Sequence, residues 1–511
     1  MADARLATSW SRVLLLLLAA ALLRPTAGRS PARWQGGDGA PGGPLLLDAV
    51  GDSSVLVDLL PHGDTTQGPL KRSFFEKHLR VRRRYPHGEQ ALEAKWALFT
   101  WVGGLLVIVA VVLGALCSFL PSRPTAELEV LAPRLDSEEE PPSRLPMVMM
   151  TAAWCTLAFM PLGLASRLFD AHVAVTFWVN LLAIVPESVL IGIATEELAV
   201  HLGDAAGALL NASFGNAVEI VFAAFSLKAG LLDACAGNLV GSILANQLGL
   251  LGCVFLAAGV WITPPFTLRL GREASFDVSS ALNQAQMLLL SSFSVTLPAT
   301  YAQLQHVTPQ HLLALSQALG FLLVLCYVAF VAHLLHSRGP TPKEEQHARL
   351  GIRTGMALLA LATVLLAAST ECMVASLGEF CRRNGLSQMF VGVVLMPVAG
   401  DFSHISAIYF AMKGKMDLAI SIALASAIGN ALLVMPGSLL LGHLFNQPMT
   451  LAFHPVHGVT LIISAIITLA VLVEGRSNWL RGVTLLATFA FVSVMVFFMP
   501  EGSEHGLLSR T

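Results

Sequence analysis

Apolar residues run through the chain in stretches of about 20, the length that crosses the hydrocarbon core of a bilayer, with short polar stretches between them. From Lys95 onward this pattern predicts twelve spans, at about 95–120, 146–166, 172–192, 205–228, 233–260, 284–303, 311–335, 352–378, 386–412, 417–444, 455–474 and 481–499. Two hydrophilic loops interrupt the series, an acidic, Pro-rich one at Ser122–Pro146 and a mixed-charge one at His336–Leu350. The reading is an all-α polytopic membrane protein, with membrane lipid as its first partner.

The first apolar run, Val13–Leu23, is too short to span. It follows an arginine-bearing leader and precedes small residues near Ala27 and Gly28, so 1–28 reads as a cleavable secretory signal. Residues 29–94, Gly/Pro-rich and then basic, form a luminal segment with a candidate dibasic processing run at Arg80–Arg84. The span at 95–120 and the loop at 121–145 follow. A luminal N-terminus places both hydrophilic loops in the cytosol. The short-loop basic residues agree, with Arg123, Arg134, Arg144, Arg269, Arg272, Lys413 and Lys415 cytosolic against Arg167, Lys228, Arg382 and Arg383 luminal. The basic stretch Lys71–Lys95 opposes this orientation and requires an effective signal to overcome it.

Composition fits the class and narrows the chemistry. The 511 residues are 55% hydrophobic and 13% charged, about half the charged share of a soluble protein, and mean hydropathy is +0.68. A net charge of -2 with no basic face gives no reason to expect nucleic acid. The seven cysteines sit mostly in or beside apolar spans and show no CxxC or zinc spacing, so they read as small buried hydrophobes. Walker patterns and nucleophile elbows are lacking, and neither enzymatic chemistry nor a cofactor is expected.

The chain repeats itself. "GNAVEIVFAAFSLK" at Gly215–Lys228 aligns on "GDFSHISAIYFAMK" at Gly400–Lys413, matching at Gly215/Gly400, Phe225/Phe410 and Lys228/Lys413. After one deleted residue the register resumes with Asp233/Asp417, Ser242/Ser426 and Asn246/Asn430, and "ATEEL" upstream echoes "STECM". Five spans separate the two motif helices. An odd number puts them in opposite orientations, the sequence form of an inverted repeat with a site near the midplane.

Within these motifs lie residues that an apolar helix does not need. An intramembrane carboxylate costs several kcal/mol unless protonated, paired or facing a cavity. Glu219 lies three residues after Asn216 and four after Gly215, so the three share one helix face, and small Gly215 admits a neighbouring backbone. Oxygen ligands of this kind suit a hard cation such as calcium. A carboxylate in a low-dielectric site also takes up protons readily, so cation and proton compete for it. The structural alternative is a protonated glutamate bonded to a neighbouring helix. In the second copy Asp401 restores a carboxylate and His404, a proton carrier near neutral pH, occupies the same face. Ser242/Asn246 and Ser426/Asn430 read as ligands or interhelical glue; Glu196 and Glu371 as cation guides at span ends or solvated caps; Asp233 and Asp417 as turn or N-cap residues.

The stretches "GIATEEL", "LLNASFGNAVEI", "LKAGLLD" and "GNLVGSILANQLGLLG", with "VGVVLMPVAGDFSHISAIYFAMKGKMDLAISIALASAIGNALLVMP", resemble the CAX-type calcium/proton antiporters of the cation/calcium exchanger superfamily over roughly 146–499. The resemblance implies a leading helix and first five-helix repeat at 146–335, a cytosolic loop at 336–351, a second repeat at 352–500 and a luminal tail at 501–511. The family glutamate carries onto Glu219 and its asparagine onto Asn216. The second repeat departs from the family's GNAAEH-like pattern. In one alignment Asp401 replaces the asparagine and His404 the glutamate; in the other His404 matches the family histidine and Ser403 replaces the glutamate. The resemblance implies a transporter that moves cytosolic calcium into an acidic lumen in exchange for protons. Glu219 and Asp401 would be its transient calcium ligands, and a vacuole, lysosome or endosome its expected home, with the plasma membrane as an alternative. The rival readings are a sodium- or potassium-coupled calcium exchanger and a transport-inactive scaffold.

Overall fold

The computed structural model describes residues 145–499, apart from 264–266, 272, 305–306, 338–348 and 448. The expected signal sequence at 1–28, the 29–94 segment with Arg80–Arg84, the expected span at 95–120, nearly all of the two hydrophilic loops and the 501–511 tail lie outside the described residues.

The described chain is mostly helical, and eight of its helices are long and apolar enough to cross a membrane. Helix α1 (Leu145–Leu168) leads into α2 (Val173–Phe214). Then come α3 (Ala217–Lys228), and α4 (Leu232–Leu244) continuing through a π turn at Ala245–Leu250 into α5 (Leu251–Gly259). A hairpin of β1 (Val260–Thr263) and β2 (Thr267–Leu270), then β3 (Ala274–Ser275), lead to α6 (Val278–Tyr301) and α7 (Pro309–Ser337). After the inter-half loop, α8 (Ile352–Asn384) precedes a segmented helix: α9 (Gln388–Phe390), a π turn (Val391–Leu395), α10 (Met396–Gly400), a 3₁₀ turn (Asp401–His404) and α11 (Ile405–Met412). Then α12 (Met416–Gly429) passes through a third π turn (Asn430–Val434) into α13 (Met435–Leu444). Helix α14 (Pro455–Leu472), β4 (Arg476–Ser477), which pairs with β3, and α15 (Trp479–Phe498) complete the order. The two short strand pairs depart from the all-helical expectation, and both lie where helices α5, α6 and α15 begin or end.

The spans predicted at 172–192 and 205–228 are joined, because α2 runs on to Phe214. "ATEELA", read as part of a connection, is rich in strong helix formers. The run is nonetheless not straight. A Cβ on Gly207 would lie 2.9 Å from the Ala199 carbonyl oxygen, eight residues earlier, whereas a straight helix would separate such residues by about 12 Å. The chain doubles back between them, so α2 supplies one span and the start of the next.

Packing brings the motif helices together. Helix α2 lies along α8, where Phe177 stacks on Phe380 with ring centroids 3.9 Å apart. Helix α4 crosses the 388–395 stretch so closely that a Cβ on Gly237 would sit 2.9 Å from the Met389 carbonyl. Small residues at such crossings let backbones touch, which drives association where water supplies no hydrophobic push.

Candidate functional site

Both motif helices break at the motif. In the first copy the helix stops at Phe214, and α3 starts again with Asn216 as its N-cap at φ -109, ψ 29. In the second copy the chain tightens into the 3₁₀ turn, and α11 starts with His404 as N-cap at φ -102, ψ 16. Both helices end in matching turns, at Gly230 (φ 72) and Gly414 (φ 79), a left-handed conformation that glycine adopts without strain. Counting back from these turns sets Ser403 opposite Glu219, so of the two alignments the structure follows the one with the deletion. The break in the second copy falls one helical turn later than in the first. Asp401 therefore precedes its break, whereas Glu219 follows its own.

The acids meet. Glu219 is 2% exposed, and a Cβ on Gly400, beside Asp401, would lie 3.2 Å from its Oε1. Asp401 is half-buried and within electrostatic range of Glu219. Each motif is held by the π-turned helix of the other half. Asn246, in the first π turn, donates from Nδ2 to Asp401 Oδ1 at 2.8 Å, and Ser426, on α12, donates to Asn216 Oδ1 at 2.9 Å. π turns recur at functional positions because they push side chains out of the regular ladder. Asn430 sits in the matching π turn, against α3. His404 is buried, with its ring against the Gly215 carbonyl, and Ser403 Oγ approaches that same carbonyl at 3.5 Å.

Glu219 Oε2, Asn246 Oδ1, both amide atoms of Asn430 and His404 Nε2 are buried with no hydrogen-bond partner among the described residues. Leaving such atoms bare costs about 1–3 kcal/mol each, so the region around the two motifs is one that a bound ligand or water would stabilise. Its donors are mainly hard oxygens, which suit calcium's need for six to eight of them. Among the described residues no three His, Cys, Asp or Glu side chains cluster as a metal site; amide and backbone oxygens must supply the rest of any shell.

The other expected residues divide. Glu196 is half-buried and accepts from Ser406 at 2.5 Å. Glu371 is exposed and stands apart from the site; its backbone carbonyl receives Arg167 Nη1 at 3.4 Å. Ser242 turns its hydroxyl back onto the Asn238 carbonyl of its own helix and helps only through its carbonyl, which Asn246 Nδ2 also touches. Asp233 and Asp417 are not N-caps, those positions being Leu231 and Lys415. Asp417 instead accepts the Asp277 N–H at 2.6 Å, at the start of α6. Two residues went unnoticed in the sequence. Asn238 Nδ2 donates to the Glu219 carbonyl at 3.3 Å. Glu187, on α2, is fully buried and accepts from Ser369 of α8 at 2.8 Å. The rule that singled out Glu219, a carboxylate within an apolar span, applies equally to Glu187.

Helix α2 follows the second motif along its length. Ser188 donates to the Ala399 carbonyl at 3.3 Å, Gly192 packs against the Ser403 backbone, and Glu196 meets Ser406. At the end of this row Glu197 Oε2 accepts the N–H groups of Arg349 and Leu350 at 2.7 and 3.0 Å, just before α8.

The model of the family described as "Sodium/calcium exchanger protein" matches residues 172–336 and 354–498. A vacuolar calcium ion transporter of Schizosaccharomyces pombe is 32% identical over 357 residues, which cover 68% of this chain and 84% of the relative. A Ca(2+)/H(+) antiporter of Aphanothece halophytica is 31% identical over 371 residues, 68% of this chain and 97% of that protein. Among solved structures, native YfkE superposes with a TM-score of 0.59 at 27% identity, covering 68% of this chain and all of that one.

Proposed function

The chain belongs to the sodium/calcium exchanger protein family, and from that premise we infer that it is a calcium/proton antiporter moving cytosolic calcium into an acidic lumen. The observation that carries this reading is the meeting of Glu219 and Asp401, each acid coming from a different motif copy, among buried amide oxygens that lack partners. Two carboxylates match the charge of one calcium ion, and two protons can replace it. Glu219 binds cation and proton alternately, Asp401 supplies the partner charge, and His404 offers Nε2 as a proton acceptor beside them. Asn216, Asn246 and Asn430 complete the oxygen shell, with Ser426 orienting Asn216. Bond making and breaking is confined to protons and coordination, so no resident cofactor is needed. Support also comes from the names of the relatives, which include a vacuolar calcium transporter and a Ca(2+)/H(+) antiporter.

The two motif-bearing stretches are read as halves of an inverted repeat. Supporting this are the matched glycine turns, the matched π turns at 245–250 and 430–434, and the reciprocal contacts Asn246–Asp401 and Ser426–Asn216. The membrane is assigned to an acidic compartment of the endomembrane system, where a proton gradient drives calcium uphill.

The test is calcium uptake by acid-loaded vesicles holding the purified full chain. Uptake that follows the pH gradient and is lost in Glu219→Gln supports the antiporter. Uptake that follows sodium instead supports a sodium-coupled exchanger, and a folded chain without uptake under either gradient overturns transport itself. Because calcium and protons compete for the same oxygens, lowering pH on the calcium-loading side weakens apparent calcium affinity, by up to about tenfold per pH unit for each proton displaced.

A further inference from the structure

Glu187 lies outside the pair that the antiporter reading uses. It follows Pro186 near the middle of α2's first span, fully buried between α2 and α8. Its Oε1 accepts from Ser369, whereas its Oε2 is buried with no partner. A glutamate kept permanently protonated for structure would have a dedicated carbonyl acceptor for its O–H, and a permanently ionised one would have a cation. Glu187 has neither among the described residues. Its one partner is a hydroxyl, which can donate to a carboxylate or accept from a carboxylic acid, so the pocket tolerates both protonation states.

The ionisable groups on the elements packed against α2 leave Glu187 unpaired. Helix α8 brings buried Cys372 and exposed Glu371, and α1 brings Arg167, which reaches the Glu371 carbonyl. The second motif brings Asp401 and His404, and α3 brings Glu219. Helix α7 carries His311, His333 and His336, and α12 carries Asp417, engaged at Asp277. None of them forms an ion pair or hydrogen bond with Glu187. The next residue, Ser188, bonds the Ala399 carbonyl, two residues before Asp401. Any shift of the Asp401–His404 turn on cation loading therefore bears directly on α2 beside Glu187.

We propose that Glu187 is a third exchangeable proton site, a carboxyl that releases its proton when calcium is loaded and regains it on the return leg. The proposal rests on the antiporter reading, and a count of protons separates the two. Calorimetric calcium titrations of the purified full chain, in two buffers with different ionisation heats, give the protons released per calcium bound. Wild type is expected to release about one proton more than Glu187→Gln. Equal counts would overturn the proposal and leave the antiporter reading standing. If Glu187→Gln does not fold, Ser369→Ala serves: it keeps the acid, removes its hydroxyl partner, and is expected to displace the pH profile of proton release. A profile that superposes on wild type overturns the proposal. Folded wild-type protein that binds no calcium at any pH overturns the antiporter reading and this proposal with it.

Discussion

The first and second motif copies deliver an acid to one place by different routes. In the first, the helix breaks at Asn216 and Glu219 follows within the first turn of α3. In the second, the break slides one turn to His404, and the acid comes before it, on the 3₁₀ turn. The residue opposite Glu219 by count is Ser403, and it carries no charge. A motif compared letter by letter thus loses its glutamate, whereas in space a carboxylate is still present. The position of the helix break decides which letter matters.

Substitutions test this asymmetry, beginning with the largest effect. Glu219→Gln removes the more deeply buried acid, one of the two charges that would balance calcium. Apparent calcium affinity in vesicle uptake is expected to fall at least about 100-fold. Asp401→Asn keeps the shape and the Asn246 contact but removes a charge that is only half-buried, so a loss of about tenfold is expected, worth about 1.4 kcal/mol. Equal losses in the two variants would mean that the copies are not asymmetric. The double variant Asp401→Asn/Ser403→Glu moves the acid back to the counted position. Recovery of part of the lost affinity would show that charge matters more than route, and no recovery would show that the displaced break has closed the older position. The smallest effect belongs to a holder. Ser426→Ala removes one interhelical hydrogen bond and no oxygen of the proposed shell, a contribution of about 0.5–1.5 kcal/mol, read as a two- to tenfold fall in calcium affinity with the chain still folded.

Much of this was legible beforehand. Apolar runs located the helices, because a bilayer sets their length, and eight described helices are long and apolar enough to cross one. The register of Gly, Lys, Asp, Ser and Asn exposed the paired motifs, and their polar residues proved to include those that meet. Three things were not legible. The reversal inside α2 carries Gly203 but no proline, and the helix formers of 194–199 lead straight into it. Glu371 looks like Glu196 in its motif, yet it lies on the exposed side of α8, and a five-residue echo does not encode helix rotation. Glu187 stands alone in its span with no echo, and its partner Ser369 is 182 residues away.

The reciprocal grip of the halves also bears on the chain's history. Asn246 holds the acid of the other copy, and Ser426 holds the amide of the other copy. A chain cut between α7 and α8 would yield fragments that each display bare polar atoms to lipid, and only their reunion would quiet both. If the copies descend from one ancestral gene, the ancestor had to work as a pair, and fusion made that partnership permanent. Once joined, one copy was free to surrender its glutamate, because the other kept hold of whatever replaced it.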